Sequence, residues 1–165
     1  MKNLLKTAVL AASIMTPAIT GAMEMEFKAG YITVKNATVR ATLPGSPAAA
    51  YFLVANDGST DEKIVAASSP KAERVELHMH HEEDGVMKMR KIESIDIPAN
   101  SVVYLKPGGL HMMMFGLTAV PDAGDMVPLT VTFENAGKVD IKAMATSMKS
   151  GSGHGSSSHG HSNSN

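Results

Sequence analysis

The chain has no cysteine among its 165 residues, and this absence excludes disulfide bonds and every metal or redox site that needs a thiolate. Without thiols there is no disulfide framework, so apolar burial and backbone hydrogen bonds must hold the fold together. A blue-copper centre needs a cysteine sulfur and a redox-active disulfide needs two cysteines, so neither chemistry is available. The soft donors that remain are the thioethers of 13 methionines.

A charge excess of one sign is also missing. The chain has 15 basic and 16 acidic residues, which gives a formal net charge of −1. Residues 1–22 contain two lysines and no acid, so their removal leaves a net charge of −3. This balance gives no electrostatic reason to expect nucleic acid or an anionic membrane surface as a partner.

The N-terminus has the pattern of a secretory signal peptide over residues 1–22. Lys2 and Lys6 precede an apolar run over residues 7–15, and small residues lead to a cleavage position at the end of the peptide or after Ala18. The run is too short to span a bilayer comfortably, and a buried N-terminal helix is the alternative interpretation. We expect a soluble, monomeric periplasmic protein, without a lipid anchor or membrane insertion after cleavage.

The rest of the chain predicts an all-β fold. Short β-type runs alternate with turn residues at intervals of about ten residues, and no long helical period is present. This pattern favours a Greek-key β-sandwich or barrel, formed by one domain over residues 24–146. The ten predicted strands cover residues 32–42, 49–55, 63–67, 74–80, 87–91, 94–97, 102–105, 111–114, 127–133 and 139–145.

The last segment, residues 147–165, differs in composition from the domain. It is rich in glycine, serine and histidine and almost free of apolar residues, so it cannot bury enough surface to offset its ordering entropy. We expect a disordered, flexible tail. Its histidines, His154, His159 and His161, are candidate ligands for divalent copper, which prefers imidazole nitrogen, and a purely solubilising linker is the alternative.

Strand alternation separates core side chains from outward ones, because residues two apart share a face. If Leu110, Met112 and Met114 fill the core, then His111 and Met113 leave it together. A histidine and a methionine two residues apart on one strand face can chelate a single ion. This segment therefore supplies two candidate donors.

The preceding segment supplies two more donors. We expect His78 to point outward from its strand. We also expect a polar loop over residues 81–85 to form a hairpin in which Met89 lies level with His78 along the paired strands. His80 and His81 are equally well explained as auxiliary metal donors and as polar loop residues. The candidate site thus lies where three strand ends meet.

Imidazole nitrogen combined with thioether sulfur is an unusual ligand set. Thioethers are soft, weakly basic donors that hold monovalent copper well and compete poorly for zinc, magnesium or calcium. Each residue has a structural alternative, since methionines fill cores and exposed histidines are usually only solvated. The coincidence of two histidines and two methionines at matched heights favours copper.

The pattern resembles the signature of a periplasmic copper chaperone family called PCuAC. KPGG precedes the second histidine, and the resemblance extends over roughly residues 29–143. It implies a cupredoxin-like Greek-key β-fold that binds monovalent copper and delivers it to the copper centre of cytochrome oxidase, directly or with a thioredoxin-like partner of the Sco type. The residues that match the family's ligands are His78, Met89, His111 and Met113.

Other functions remain open beside the chaperone. A periplasmic copper-storage or resistance protein without a dedicated acceptor is the alternative within copper handling. A copper or zinc enzyme would use several histidines and an aspartate around an open coordination position, and an adhesion module would expose the methionines as an apolar patch. Because no catalytic motif is visible, we expect a binding protein and no enzyme.

Overall fold

The computed structural model describes residues 25–41 and 43–146, which form eleven β-strands and no helix. Accordingly, no helix in these residues is long and apolar enough to cross a membrane. The strands are β1 (Glu26–Ala29), β2 (Ile32–Arg40), β3 (Ala48–Asn56), β4 (Glu62–Ser68), β5 (Ala72–Glu83), β6 (Val86–Ile92), β7 (Ile95–Ile97), β8 (Ser101–Leu105), β9 (Leu110–Leu117), β10 (Met126–Phe133) and β11 (Gly137–Thr146).

All ten predicted strands are present, as β2 to β11. The strand that sequence reasoning missed is β1, which pairs with β2 and whose four residues are too few for their alternation to be distinctive. The proposed signal peptide, the tail with its three histidines and Thr42 lie outside the described residues.

The strands form one sheet in the order β6-β5-β9-β3-β2-β11-β10-β4-β7, with β1 paired to β2 and β8 to β3. The pairs are antiparallel except for β2 with β11. Strands distant in sequence lie side by side, as β5 beside β9 and β9 beside β3, which is the long-range connectivity expected of Greek-key folds. The all-β prediction is confirmed.

In β3, β10 and β11, buried residues alternate with half-buried or exposed ones, so one face of these strands lies in the core. Strand β3 shows the alternation most clearly, because its even-numbered residues are buried and its odd-numbered residues are half-buried. Met112 and Met114 are both fully buried, as predicted from the pattern of β9. The outer face of β5, β6 and β9 is therefore left for the candidate donors.

One tight turn joins β5 to β6, and a second one precedes β9. Asp84 and Gly85 connect β5 to β6 with φ angles of 55° and 75°, as a two-residue type I′ hairpin turn requires. Before β9, the Gly109 amide donates to the Lys106 carbonyl at 3.0 Å, and Gly108 has a φ of 78°. With Pro107 at the second position, this is the sequence of a type II turn.

A buried carboxylate ties β4 to the turn between β10 and β11. The Glu62 side chain accepts hydrogen bonds from the backbone amides of Lys63, Asn135 and Ala136 at 2.8, 3.0 and 2.8 Å. Burial raises the pKa of Glu62, but these hydrogen bonds to the charged form outweigh it, so the pKa lies below the ordinary value of 4.5.

Replacing Glu62 by glutamine should lower the free energy of unfolding by about 1–3 kcal/mol at pH 7, because the amide is a weaker acceptor. A carboxyl group whose pKa is depressed on folding stabilises above its unfolded pKa and loses this contribution as the pH falls through the folded value. The variant and the parent should therefore converge in acid. Urea unfolding at pH 7 and at low pH measures this.

The matched control is Glu134→Gln, because Glu134 is exposed and lies one residue before Asn135. A loss of stability in Glu62→Gln that is equally large in acid would contradict the charged-acceptor explanation.

Candidate metal centre

Strand β5 lies between β6 and β9, and the three strands present one continuous outer face. Residues directly opposite each other in an antiparallel pair share a face, so the registers of the two pairs decide which side chains meet. We call the resulting set the donor face. Its six side chains form three cross-strand pairs: His78 with His111, His80 with Met89, and Glu76 with Met113.

The register of β5 and β6 corrects one prediction. The expected polar loop over residues 81–85 was wrong, because both strands continue to the two-residue turn and Glu83 pairs with Val86. This register sets Met89 opposite His80, so Met89 is a diagonal neighbour of His78, with about 7–8 Å between such positions. Met89 remains on the predicted face, but its partner on β5 is His80, two residues after His78.

His111 lies on the face opposite Met112 and Met114, as the alternation in β9 predicts. It is nevertheless only 2% exposed, and three aromatic or imidazole rings lie around it. The ring centroids of Tyr51, His78 and His80 lie 6.3, 5.9 and 5.1 Å from that of His111. His111 is thus enclosed between neighbouring strands.

The two methionines of the donor face differ in exposure. Met113 is half-buried, whereas Met89 is 48% exposed on the strand that ends the sheet. The donor face therefore combines a buried imidazole with a thioether that other molecules can reach.

A backbone carbonyl sets the tautomer of His111. The His111 Nδ1–H donates to the Gly109 carbonyl at 2.9 Å, so the lone pair resides on Nε2. The same carbonyl accepts a hydrogen bond from the backbone amide of His80 at 3.2 Å. Burial lowers the pKa of His111, with a further contribution from His80 and His78, against an opposing effect of the hydrogen bond to Gly109. The ring is therefore neutral at pH 7, the form that binds metals.

A carboxylate sets the tautomer of His78. The His78 Nε2–H donates to Glu76 Oε2 at 3.0 Å, and this hydrogen bond is the main cause of the lowered pKa of Glu76. Burial opposes the shift, and Arg74 and Lys91 add to it. The other ring nitrogen, Nδ1, is buried and has no hydrogen-bond partner among the residues that the structure describes. His78 thus directs an unused lone pair into a desolvated space.

The two auxiliary candidates from sequence are separated by strand alternation. His80 lies on the donor face, and its Nδ1 is a second buried nitrogen without a partner in the described part of the chain. His81 is exposed and pairs with Lys88 on the opposite face of the hairpin. The three tail histidines, His154, His159 and His161, lie outside the described residues.

The donor set fits a soft cation. Within residues 25–41 and 43–146, no three histidine, aspartate or glutamate side chains are close enough to hold a metal ion by themselves. The thioethers of Met89 and Met113 extend the set on the same face, and thioethers select monovalent copper over harder ions. A second interaction that orients each imidazole, here from Glu76 and from the Gly109 carbonyl, is the common arrangement around metal-binding histidines.

Sequence reasoning missed three members of this centre: Glu76, Tyr51 and the Gly109 carbonyl. Glu76 had a signal, because it lies two residues before His78 and alternation sets both on one face. Tyr51 had none, because it comes from β3 and reaches His111 only through long-range pairing.

A family model described as "Putative lipoprotein LpqE-like" matches residues 32–145. Among curated proteins, "Putative lipoprotein Lxx21020" of Leifsonia xyli subsp. xyli is 35% identical over 105 residues, which is 63% of this chain and 63% of that protein. The chain therefore spans less than two thirds of the length of this relative.

Solved structures share the fold. The copper-bound PCuAC domain from PmoF2 is 26% identical, with a TM-score of 0.65, over 74% of this chain and 98% of that domain. CuI-DR1885 from Deinococcus radiodurans is 27% identical, with a TM-score of 0.56, over 67% of this chain and 75% of that protein. These similarities confirm the predicted cupredoxin-like fold class.

Nitrogen NMR of the histidine rings in the metal-free protein tests the tautomers. The neutral form of His78 should show its proton on Nε2. At pH 7 His111 should show its proton on Nδ1, and it should titrate below the ordinary value of 6.5. Because this pKa is lowered on folding, its contribution to stability is present above the unfolded value and is lost as the pH falls. The opposite tautomer at either ring would contradict the hydrogen bonds described above.

Proposed function

The chain belongs to the LpqE-like family, and from this premise we propose that it is a periplasmic copper chaperone of the PCuAC type. The similarity to PCuAC domains solved with copper supports this proposal, as does the convergence of soft and imidazole donors on one face. The lipoprotein description of the family supports a location outside the cytoplasm. The protein acts as a carrier that binds and releases copper, with no catalytic step.

We propose that monovalent copper is held by two imidazoles and two thioethers. The observation that carries this proposal is the pair of facing histidines whose second nitrogens are already hydrogen-bonded. Glu76 occupies Nε2 of His78, and the Gly109 carbonyl occupies Nδ1 of His111, which leaves one lone pair on each ring. Met89 and Met113 flank these rings on the same face and supply the sulfur atoms.

The exposures of the donors suit capture and release. His111 is enclosed and remains neutral, so it serves as the anchor, while Met89 lies exposed on the terminal strand β6. An acceptor's thiolates replace the thioethers one at a time, because thiolate is charged and binds monovalent copper more strongly. We propose that the acceptor is a subunit of cytochrome oxidase or a Sco-like thioredoxin-fold protein.

Two further possibilities concern the histidines of the tail and a protein that keeps its copper without passing it on. We propose that His154, His159 and His161 capture divalent copper, which prefers imidazole nitrogen. A protein that binds copper but never passes it to a thiolate acceptor would be a storage or resistance protein. Mixing the loaded protein with such an acceptor and measuring copper on each partner separates the two roles.

Competition with a chromophoric chelator of monovalent copper tests the ligand set. Met89→Leu should weaken monovalent binding by at least about tenfold, since leucine keeps the volume and removes the donor sulfur. The control is Met87→Leu, because Met87 lies on the same face and strand, is 54% exposed, and pairs with Glu82 rather than with a histidine. Equal affinities of the parent and of Met89→Leu would contradict the proposed role of this sulfur.

The Glu76 carboxylate should raise the affinity for monovalent copper through its hydrogen bond to His78. Glu76→Gln weakens the hydrogen bond to Nε2–H and so makes Nδ1 a poorer donor, and the expected loss of monovalent copper affinity is about tenfold or more. Glu82→Gln provides the control, since Glu82 is exposed on the same strand face and pairs with Met87. Unchanged affinity in Glu76→Gln, measured in the same competition assay, would show that the carboxylate does not tune the site.

A further inference from the structure

We propose that His80 is a third imidazole ligand of this centre, and that His78, His80 and His111 together let the donor face hold divalent copper. This inference rests on the proposed function, which supplies the roles of His78 and His111. It adds a ligand outside the two-histidine, two-methionine set and a second oxidation state of the same cargo. Each ion is bound in the state in which it is supplied, so no electron transfer is involved.

The position of His80 matches that of a metal ligand. Its ring centroid lies 5.1 Å from that of His111, and the His78 centroid lies 5.9 Å from the same ring. Two imidazoles on one ion have centroids about 4.4–6.3 Å apart, since metal–nitrogen bonds are about 2.0 Å long. Both separations fall within this interval. The backbone of His80 is also fixed to the centre, because its amide donates to the Gly109 carbonyl that orients His111.

The side chain of His80 has an unused donor atom. Its Nδ1 is buried and has no hydrogen-bond partner in the part of the chain that the structure describes. Buried polar atoms are normally paired, so an unpaired ring nitrogen beside two other imidazoles points to a ligand. His81 offers the contrast within the same sequence, because it is exposed on the opposite face.

Met89 and His80 occupy directly opposite positions, so one can replace the other at the ion. Monovalent copper favours the thioether, whereas divalent copper favours imidazole nitrogen. No three of the described carboxylate and histidine side chains converge without movement, so the His80 ring must turn about its side-chain bonds to complete the set. No hydrogen bond to Nδ1 opposes this rotation among the described residues.

Electron spin-echo spectroscopy of the protein loaded with one equivalent of divalent copper tests this ligand. The full chain is used with His154, His159 and His161 replaced by alanine, so that the tail does not contribute nitrogen ligands. The parent should show three coordinated imidazoles. His80→Ala should show two and bind divalent copper at least about tenfold more weakly in competition with glycine, while its monovalent affinity changes less than about threefold.

Two controls make the result specific. His81→Ala should leave both affinities and the spectrum unchanged, and His80→Gln should behave as His80→Ala while keeping a polar side chain in a folded protein. An unchanged divalent spectrum in His80→Ala would overturn the assignment of His80 and leave the monovalent site intact. Equal losses of affinity for both ions would also overturn it, because His80 would then not act selectively on the divalent ion. Failure of the parent to bind monovalent copper would instead overturn the proposed function.

Discussion

The centre depends on one constraint, the register of β5 between β6 and β9. Because side chains alternate along a strand, a shift of one residue would move every donor of β5 to the other face. The type I′ turn at Asp84-Gly85 fixes the register of β5 with β6. The register of β5 with β9 is held by antiparallel pairing between strands distant in sequence, and the His80 amide donates to the Gly109 carbonyl beside it. His78 faces His111 in the β5–β9 register, and Met89 faces His80 in the β5–β6 register that the type I′ turn fixes.

The hydrogen bonds around the donor face prepare the imidazoles before any ion arrives. Glu76 and the Gly109 carbonyl each occupy one ring nitrogen, so two tautomers are set by the fold. Burial lowers the pKa of His111 and so favours its neutral ring, and the buried Nδ1 of His78 has a lone pair without a partner among the described residues, which is costly. The sulfur of Met89 lies on an exposed side chain, where an acceptor protein can reach it. In the proposed function, this centre both holds the copper ion and passes it to an acceptor.

The sequence predicted the faces of the strands better than the contacts between them. Alternation in β9 correctly assigned Met112 and Met114 to the core, because that pattern is local. The register of the hairpin was missed because polar residues that continue a strand have the composition of a loop. The burial of His111 was missed because its cover includes Tyr51, which comes from β3 and meets it only in the folded sheet.

X-ray absorption spectroscopy of the full chain loaded with one equivalent of monovalent copper tests the central claim most directly, because it counts the atoms bound to the ion. The account predicts two nitrogen and two sulfur neighbours, and the loss of one sulfur in Met113→Leu. A copper ion surrounded only by nitrogen and oxygen, or a sulfur count unaffected by replacing either Met89 or Met113, would contradict it.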